Sequence, residues 1–399
     1  MLTLACGFAC AASGQQYTAE VLNLLAAPPG APATNYNYVS EGGAVGDGLG
    51  PATGNVPHAL HMPLGASAPI DLHPSGFQES YGLGGSGGQQ VGYGLSASPL
   101  QYRALLWSGS AGSVVDLQPP GYTFSRAYST DGVEQVGIAS NGSGTRAVSW
   151  VGTASTAIIL HPGGYSTSHA YGVGDGQQCG WAFLPSAPLL ARAMVWTGTP
   201  ESAVDLHSPP YTETFAFDTS GGKQVGYGKA SSAPAIRALM WSGTAESVVD
   251  LHPSGLTSSV AYGTNGEVQV GDGGPGAAAW FGSAESYVDL HAFLPAGFTG
   301  SRAYSVGADG VIYGRAFGTS AGGTGYHAVK WTPIDECAAK YNDGEEPDIL
   351  DFLDFVDDFS TCEGQPAPCG SFGEADINGD TFVDILDFLD FIDSFGTGC

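Results

Sequence analysis

Apolar residues come in short runs cut by Gly, Ser, Pro and Asn, and through most of the chain none of the runs shows the period of a helix. The runs repeat. Between Asn35 and Trp331 the pattern returns about every 45 residues, and its clearest line is Arg-Ala-x-x-Trp: Arg103 to Trp107, Arg146 to Trp150, Arg192 to Trp196 and Arg237 to Trp241. His58 to Met62, Gly276 to Trp280 and His327 to Trp331 are variants, which makes seven copies. Nine residues after the last position of each of the first six copies stands Asp71, Asp116, Ile159, Asp205, Asp250 or Asp289, opening an Asp-Leu-His-like run. Upstream of each copy lie an Ala-Tyr run, as at Arg126 to Ser129 or Val260 to Gly263, and a Val-Gly-Tyr-Gly run, as at Val91 to Gly94 or Val225 to Gly228.

Each copy therefore predicts four short antiparallel strands, and seven such copies predict an all-β, seven-bladed β-propeller. The last copy lacks its fourth strand, because after Trp331 the chain turns to Pro333 and acidic residues. At the other end Glu20 to Leu25, followed by Pro28, Pro29 and Gly30, is similar to Val248 to Pro253. This N-terminal strand is expected to complete the seventh blade and close the ring, leaving no incomplete sheet edge. The alternative architecture is an open β-solenoid or two β-sandwiches, neither of which needs a strand from the far end of the chain.

Glycine at 62 and proline at 25 of 399 residues would suit a disordered chain, but 43% hydrophobic and 11% aromatic content can sustain a core. The glycines are then punctuation between strands. The charge is lopsided: 38 acids oppose 11 bases for a net charge of -27, and 18 of the acids lie between Asp335 and Asp393. Such a tail repels nucleic acid and anionic membrane surfaces. Residues 1–14 are apolar, and Cys10-Ala11-Ala12 resembles a signal-peptidase site, so this segment reads as a signal peptide without the usual basic start. No stretch of 18 apolar residues follows, so no transmembrane helix is expected. The expected domains are the propeller over 15–332 and a small module over 333–399.

The repeated polar residues read first as structure. Arg103, Arg192, Arg237 and His58 each stand thirteen residues before Asp116, Asp205, Asp250 and Asp71, an offset that places opposite charges across a hairpin centred on Gly-Thr, where they fix register. Arg146 meets Ile159 and Gly276 meets Asp289, so the pairing is a tendency. The histidines at 73, 161, 207, 252 and 291 recur once per blade and cannot converge on one metal ion, so they are expected to be hydrogen bonders at strand ends. The tryptophans at 107, 150, 196, 241, 280 and 331 are expected to pack between blades. Glycine runs such as Gly82 to Gly88 lack the Lys-Ser/Thr of a phosphate loop. His-Glu-x-x-His does not occur, and no cluster of unique polar groups breaks the repeat, which points away from an enzyme. The loop after each Asp-Leu-His strand and the loop before each Arg-Ala-x-x-Trp strand should share one face. Aromatic residues there, Phe77, Tyr122, Tyr165, Tyr211 and Phe298, are the candidate ligand-binding set, with longer inserts at Leu95 to Tyr102, Phe183 to Ala191 and Ala316 to Tyr326.

In the tail, the run from Asp348 to Phe355 recurs unchanged from Asp384 to Phe391, so one small unit is present twice. In the second unit Asp376, Asn378, Asp380, Asp384 and Asp387 occupy positions 1, 3, 5, 9 and 12 of a twelve-residue loop, with the Phe382 carbonyl at 7. Hard oxygen ligands at these offsets are what Ca2+ takes in an EF-hand-like loop. Thr381 stands at position 6, where glycine is usual, which weakens the turn. In the first unit Lys340 and Gly344 replace two ligands and leave Asn342, Asp348 and Asp351, a degenerate second site. Ile385, Phe388, Leu389, Ile392 and Phe395 then fall at helical spacing, so the module is expected to be a helix pair held by calcium and disulfides. Cys337, Cys362, Cys369 and Cys399 flank the two units in like positions, which suggests pairing 337 with 362 and 369 with 399, although spacing does not fix connectivity. Cys179 stands alone in a strand-like run.

The repeating Ser-x-Ala-Tyr, Gly-Gln-Val-Gly, Arg/His-Ala-x-x-Trp and Asp-Leu pattern resembles the HAF-type repeats of bacterial secreted proteins, over about three quarters of the chain. The tail, through Asp376-Ile-Asn-Gly-Asp380 with Asp384 and Asp387, resembles the type I dockerin-like modules, and its cysteine-flanked Asp-Phe-Leu-Asp-Phe helices look like those ending planctomycete-type secreted proteins. Ile385 and Leu386 stand where dockerins that meet cohesin often carry Ser-Thr, a departure from that pairing. The resemblance implies an extracellular or surface protein whose calcium module docks to a protein partner and whose propeller binds a ligand, a glycan or a protein. The alternative is a glycan-degrading hydrolase or lyase that carries a dockerin-like tag.

Overall fold

The computed structural model describes residues 15–24, 34–49, 53–231, 236–274, 276–320 and 323–334. Tyr17–Thr332 form one compact unit, made of seven four-stranded antiparallel sheets. Six sheets take their strands in chain order; the third blade, for example, runs Phe124–Thr130, Gln135–Ser140, Thr145–Trp150 and Ile158–Ile159. In the seventh, Phe298–Val306, Ile312–Ser320 and Gly323–Ile334 are completed by Gln16–Leu24 from the other end of the chain. The expected closure is therefore present, and Thr18 Oγ1 donates to the Thr332 carbonyl at 3.5 Å across it. The innermost strands of neighbouring sheets touch one another in an unbroken cycle, which is the ring of a propeller. Among the described residues the helical elements are short 3-10 turns such as Ala245–Ser247, and no helix there is long and apolar enough to cross a membrane.

The core lies between blades rather than within them. One cluster joins Val91, Ala104, Leu106 and Leu117 of the second blade to Ala127, Ala139 and Trp150 of the third, and the same arrangement recurs around the ring. All six repeat tryptophans, from Trp107 to Trp331, are fully buried in these seams, as the repeat suggested.

The innermost strand of every blade carries a one-residue bulge, at Asn37, Leu83, Tyr128, Tyr171, Phe217, Tyr262 and Tyr304. The bulge explains the glycine of the Val-Gly run. Gly226 lies opposite Ala216, and a Cβ on it would sit 1.9 Å from the Phe215 carbonyl oxygen. The same contact recurs at Gly92, Gly137, Gly180 and Gly271, so only glycine lets the second strand approach the bulged one.

The histidines are hydrogen bonders, but they reach across seams. His252 Nδ1 meets Ser259 Oγ at 2.7 Å, and that oxygen accepts the Ala238 N–H at 2.9 Å. His73, His161, His207 and His291 make the same relay with Ser80, Ser168, Thr214 and Ser301. In the second blade Gln118 takes the histidine's place: its Oε1 accepts from Ser125 and its Nε2 donates to the Tyr122 carbonyl. The substitution reveals the tautomer. His161 and His252 meet the Tyr165 and Leu256 carbonyls at the equivalent atom, so Nε2 carries the proton, Nδ1 accepts, and the ring is neutral.

The Arg–Asp pairs form, at 2.7 Å for Arg103–Asp116, 2.5 Å for Arg192–Asp205 and 2.6 Å for Arg237–Asp250, with His58–Asp71 at 2.8 Å. Their register differs from the expected one. Asp250 stands opposite Leu239 rather than Arg237, and the 3-10 turn replaces the simple hairpin centre, so the ions meet diagonally, within reach because both side chains are long enough.

Candidate functional site

The five aromatic residues chosen from the loops hold blades together. The Tyr165 hydroxyl donates to Asp205 at 2.8 Å and the Tyr211 hydroxyl to Asp250 at 3.1 Å, each on a carboxylate that also holds an arginine. Phe77, Tyr122 and Phe298 are half-buried against the seam clusters, and Phe298 lies edge-on to His327 at 5.4 Å. The inserts at 95–102, 183–191 and 316–326 are continuations of the hairpins between second and third strands. Asp376, Asn378, Asp380, Phe382, Asp384 and Asp387, the degenerate set Asn342, Asp348 and Asp351, and the four tail cysteines lie outside the described residues. Cys179 is buried with a free thiol, which burial pushes well above its ordinary pKa. Among the described residues no group of three or more acids, histidines and cysteines is gathered to hold a metal ion.

A different set of side chains converges on the axis. The bulges turn Tyr128, Tyr171, Phe217, Tyr262 and Tyr304 toward one another around the ring, with successive ring centroids at 4.5, 5.7, 5.7 and 6.0 Å. Tyr38 of the first blade continues the series at 6.3 Å from Tyr304. Rings from the second strands deepen it: Trp181 lies 4.7 Å from Tyr171 and 5.2 Å from Phe215, and Tyr227 lies 4.8 Å from Phe215. Most of these rings are half-buried. The loops had seemed the place for such residues, and the signal that marks them in the sequence is the recurring aromatic after Ala in the Ala-Tyr run.

Here the repeat symmetry breaks, contrary to the sequence reading. In four of the seams one residue of a second strand meets one residue early in the next innermost strand. Trp181 meets Phe215, an aromatic pair. Asp272 meets Arg302 as an ion pair at 2.7 Å, and the same guanidinium lies 4.8 Å from the Tyr262 centroid. Tyr93 meets Arg126, whose guanidinium lies 4.2 Å from the ring centroid. Arg315 donates to the Tyr36 carbonyl and lies 4.6 Å from Tyr326. Burial shifts titratable groups here, Asp218 and His169 among them. Asp218, one residue past the Phe217 bulge, is pushed up to about 7, although its carboxylate accepts the Thr264 N–H of the next blade at 3.0 Å. His169, 5.3 Å from Trp181, is lowered to about 4 and stays neutral.

No family model matches the chain, and no curated protein matches it. Solved structures do. A puromycin hydrolase is similar at 12% identity and a TM-score of 0.50, over 76% of this chain and 55% of that one. The fold alone is shared. The chain thus spans about half the length of that relative. The propeller domain of the trilobed protease from Pyrococcus furiosus is similar at 8% identity and TM-score 0.48, covering 75% of this chain and 94% of that one. An oligogalacturonate lyase in complex with manganese follows at 11% and 0.46, covering 80% and 97%.

Proposed function

We propose that the protein is an extracellular, non-enzymatic binding scaffold whose ligand is a glycan held at the axial end of the propeller. The observation that carries this reading is the continuous series of rings from Tyr128 through Tyr171, Phe217 and Tyr262, all half-buried, to the buried Tyr304, contributed by five successive blades. Flat apolar faces interleaved with hydroxyls, amides and a few charges match the mixed apolar and polar faces of a sugar ring. The acidic tail acts beside it as a calcium-dependent docking or anchoring module, with Asp376, Asn378, Asp380, Asp384, Asp387 and the Phe382 carbonyl as ligands, and its partner is another extracellular protein.

Glycan-array binding by the whole chain, with and without calcium chelation, tests both parts. Binding to at least one glycan that falls in Trp181→Ala and Phe217→Ala, with the thermal transition retained, supports the axial site. Full affinity in both variants, or no glycan bound at all, removes it. Loss of partner capture on chelation supports the module's role, and calcium-independent capture removes it.

A second reading has one observation behind it: the Asp218 carboxyl lies beside the axis and burial pushes it up to about 7, into the range that suits a general base in glycan cleavage. Release of reducing ends from any bound glycan by the wild type, absent in Asp218→Asn, would replace the binding reading by the hydrolase or lyase one.

A further inference from the structure

The seven seams allow one position to be compared with itself. Asp272 and Tyr93 occupy the same place in their Val-Gly runs, three residues after Gln269 and Gln90, and each faces an arginine at the same place in the following blade, Arg302 and Arg126. In the sixth seam the fold supplies a carboxylate to its arginine. In the second it supplies a tyrosine ring instead, and Arg126 has the Tyr128 hydroxyl as a side-chain partner but no carboxylate within 4 Å among the described residues, where every other arginine has either one or a backbone carbonyl to donate to. The Arg126 Nε is buried and without a hydrogen-bond partner. Three rings frame its guanidinium, Tyr93 at 4.2 Å, Phe124 at 5.2 Å and Tyr102 at 5.6 Å. Tyr81 stacks on Tyr93 at 4.7 Å, so the rings are held in place before any ligand arrives.

A guanidinium on an aromatic platform that gives one N–H to a tyrosine hydroxyl still has others in its plane for a carboxylate, while a neighbouring ring offers a face to whatever bears that carboxylate. We propose that Arg126 is the anchor for a carboxylated sugar, a uronate unit whose carboxylate meets the edge of the guanidinium as that of Asp272 meets Arg302 and whose ring lies against Tyr102. This rests on the axial glycan site proposed above and names its charge. A uronate brings one carboxylate for each flat ring.

The test compares a uronate oligosaccharide with its carboxyl-reduced neutral counterpart by calorimetry on the whole chain in calcium. The wild type should bind the uronate roughly tenfold to a hundredfold tighter, the range of a charge-assisted hydrogen bond. Arg126→Ala should bring the two probes to equal affinity, and Arg126→Lys should keep part of the preference. Tyr93→Asp guards against a folding artefact, because it supplies the internal carboxylate that Arg302 already has; it should leave the thermal transition in place and abolish the preference. Equal affinity for both probes in the wild type, or a preference that survives both Arg126→Ala and Tyr93→Asp, overturns the assignment while the glycan reading stands. If neither probe nor any arrayed glycan binds, the broader reading falls with it.

Discussion

Along the seams between blades the same few atoms recur: a backbone N–H of one blade, a Ser or Thr hydroxyl of the next, and a neutral imidazole behind it. Around the axis, equivalent positions hold Tyr81, Arg126, His169, Phe215, Val260 and Arg302, six blades with five side-chain chemistries. The seams satisfy buried polar groups in one geometry six times among the described residues, so their residue types are tightly constrained. The axial residues are half in solvent and owe nothing to that geometry, so each blade is free to carry a different group. Where a repeat is constant it holds the fold; where it varies it is available for recognition.

The largest break in the constant part should come from Gly226→Ala. Its Cβ would meet backbone at 1.9 Å with no flexible side chain to yield, so a loss of more than about 3 kcal/mol in urea unfolding is expected, and a loss under about 1 kcal/mol would show that the bulge is not rigid. Next, His252→Ala strips the relay of its acceptor and leaves the Ser259 O–H buried with nothing to donate to, while its oxygen keeps the Ala238 N–H, for about 2 kcal/mol. His252→Gln should cost well under that, since Gln118 already performs the role in another seam. Equal costs for the two would refute the relay.

Acid should act on the same relays. Burial holds His73, His161, His207 and His252 below the ordinary histidine value, and His169 at about 4. The folded state thus binds fewer protons than the unfolded one between about pH 6.5 and pH 4, and stability present above 6.5 falls as pH drops through that window, on the order of 2 kcal/mol. Melting curves at steps of pH check the sign. Asp218 at the axis works the other way, because a carboxyl raised from its ordinary value to about 7 destabilises the fold when it ionises. Asp218→Asn should stabilise the protein by about 1 kcal/mol at pH 8 and make the acid-side decline steeper. A variant no more stable than wild type at pH 8 would mean that the Thr264 N–H bond offsets the burial.

Much of the architecture was written in order and spacing. Seven Arg-Ala-x-x-Trp copies, the missing last strand and the spare run near Val21 are one-dimensional facts, and a closed ring of four-stranded sheets is the arrangement that satisfies them together. The thirteen-residue Arg–Asp offset and the once-per-blade histidines also announced themselves, because a device repeated along the chain repeats in space. What the sequence could not set is which side chains meet across the axis. A bulge is one unpaired residue in a strand, leaves no mark in composition, and swings Tyr128 or Phe217 toward residues some 45 positions away. That Asp272 neutralises Arg302 while Tyr93 leaves Arg126 charged depends on how each seam juxtaposes two blades, and only the closed ring, where those residues come within 4 to 5 Å, decides it.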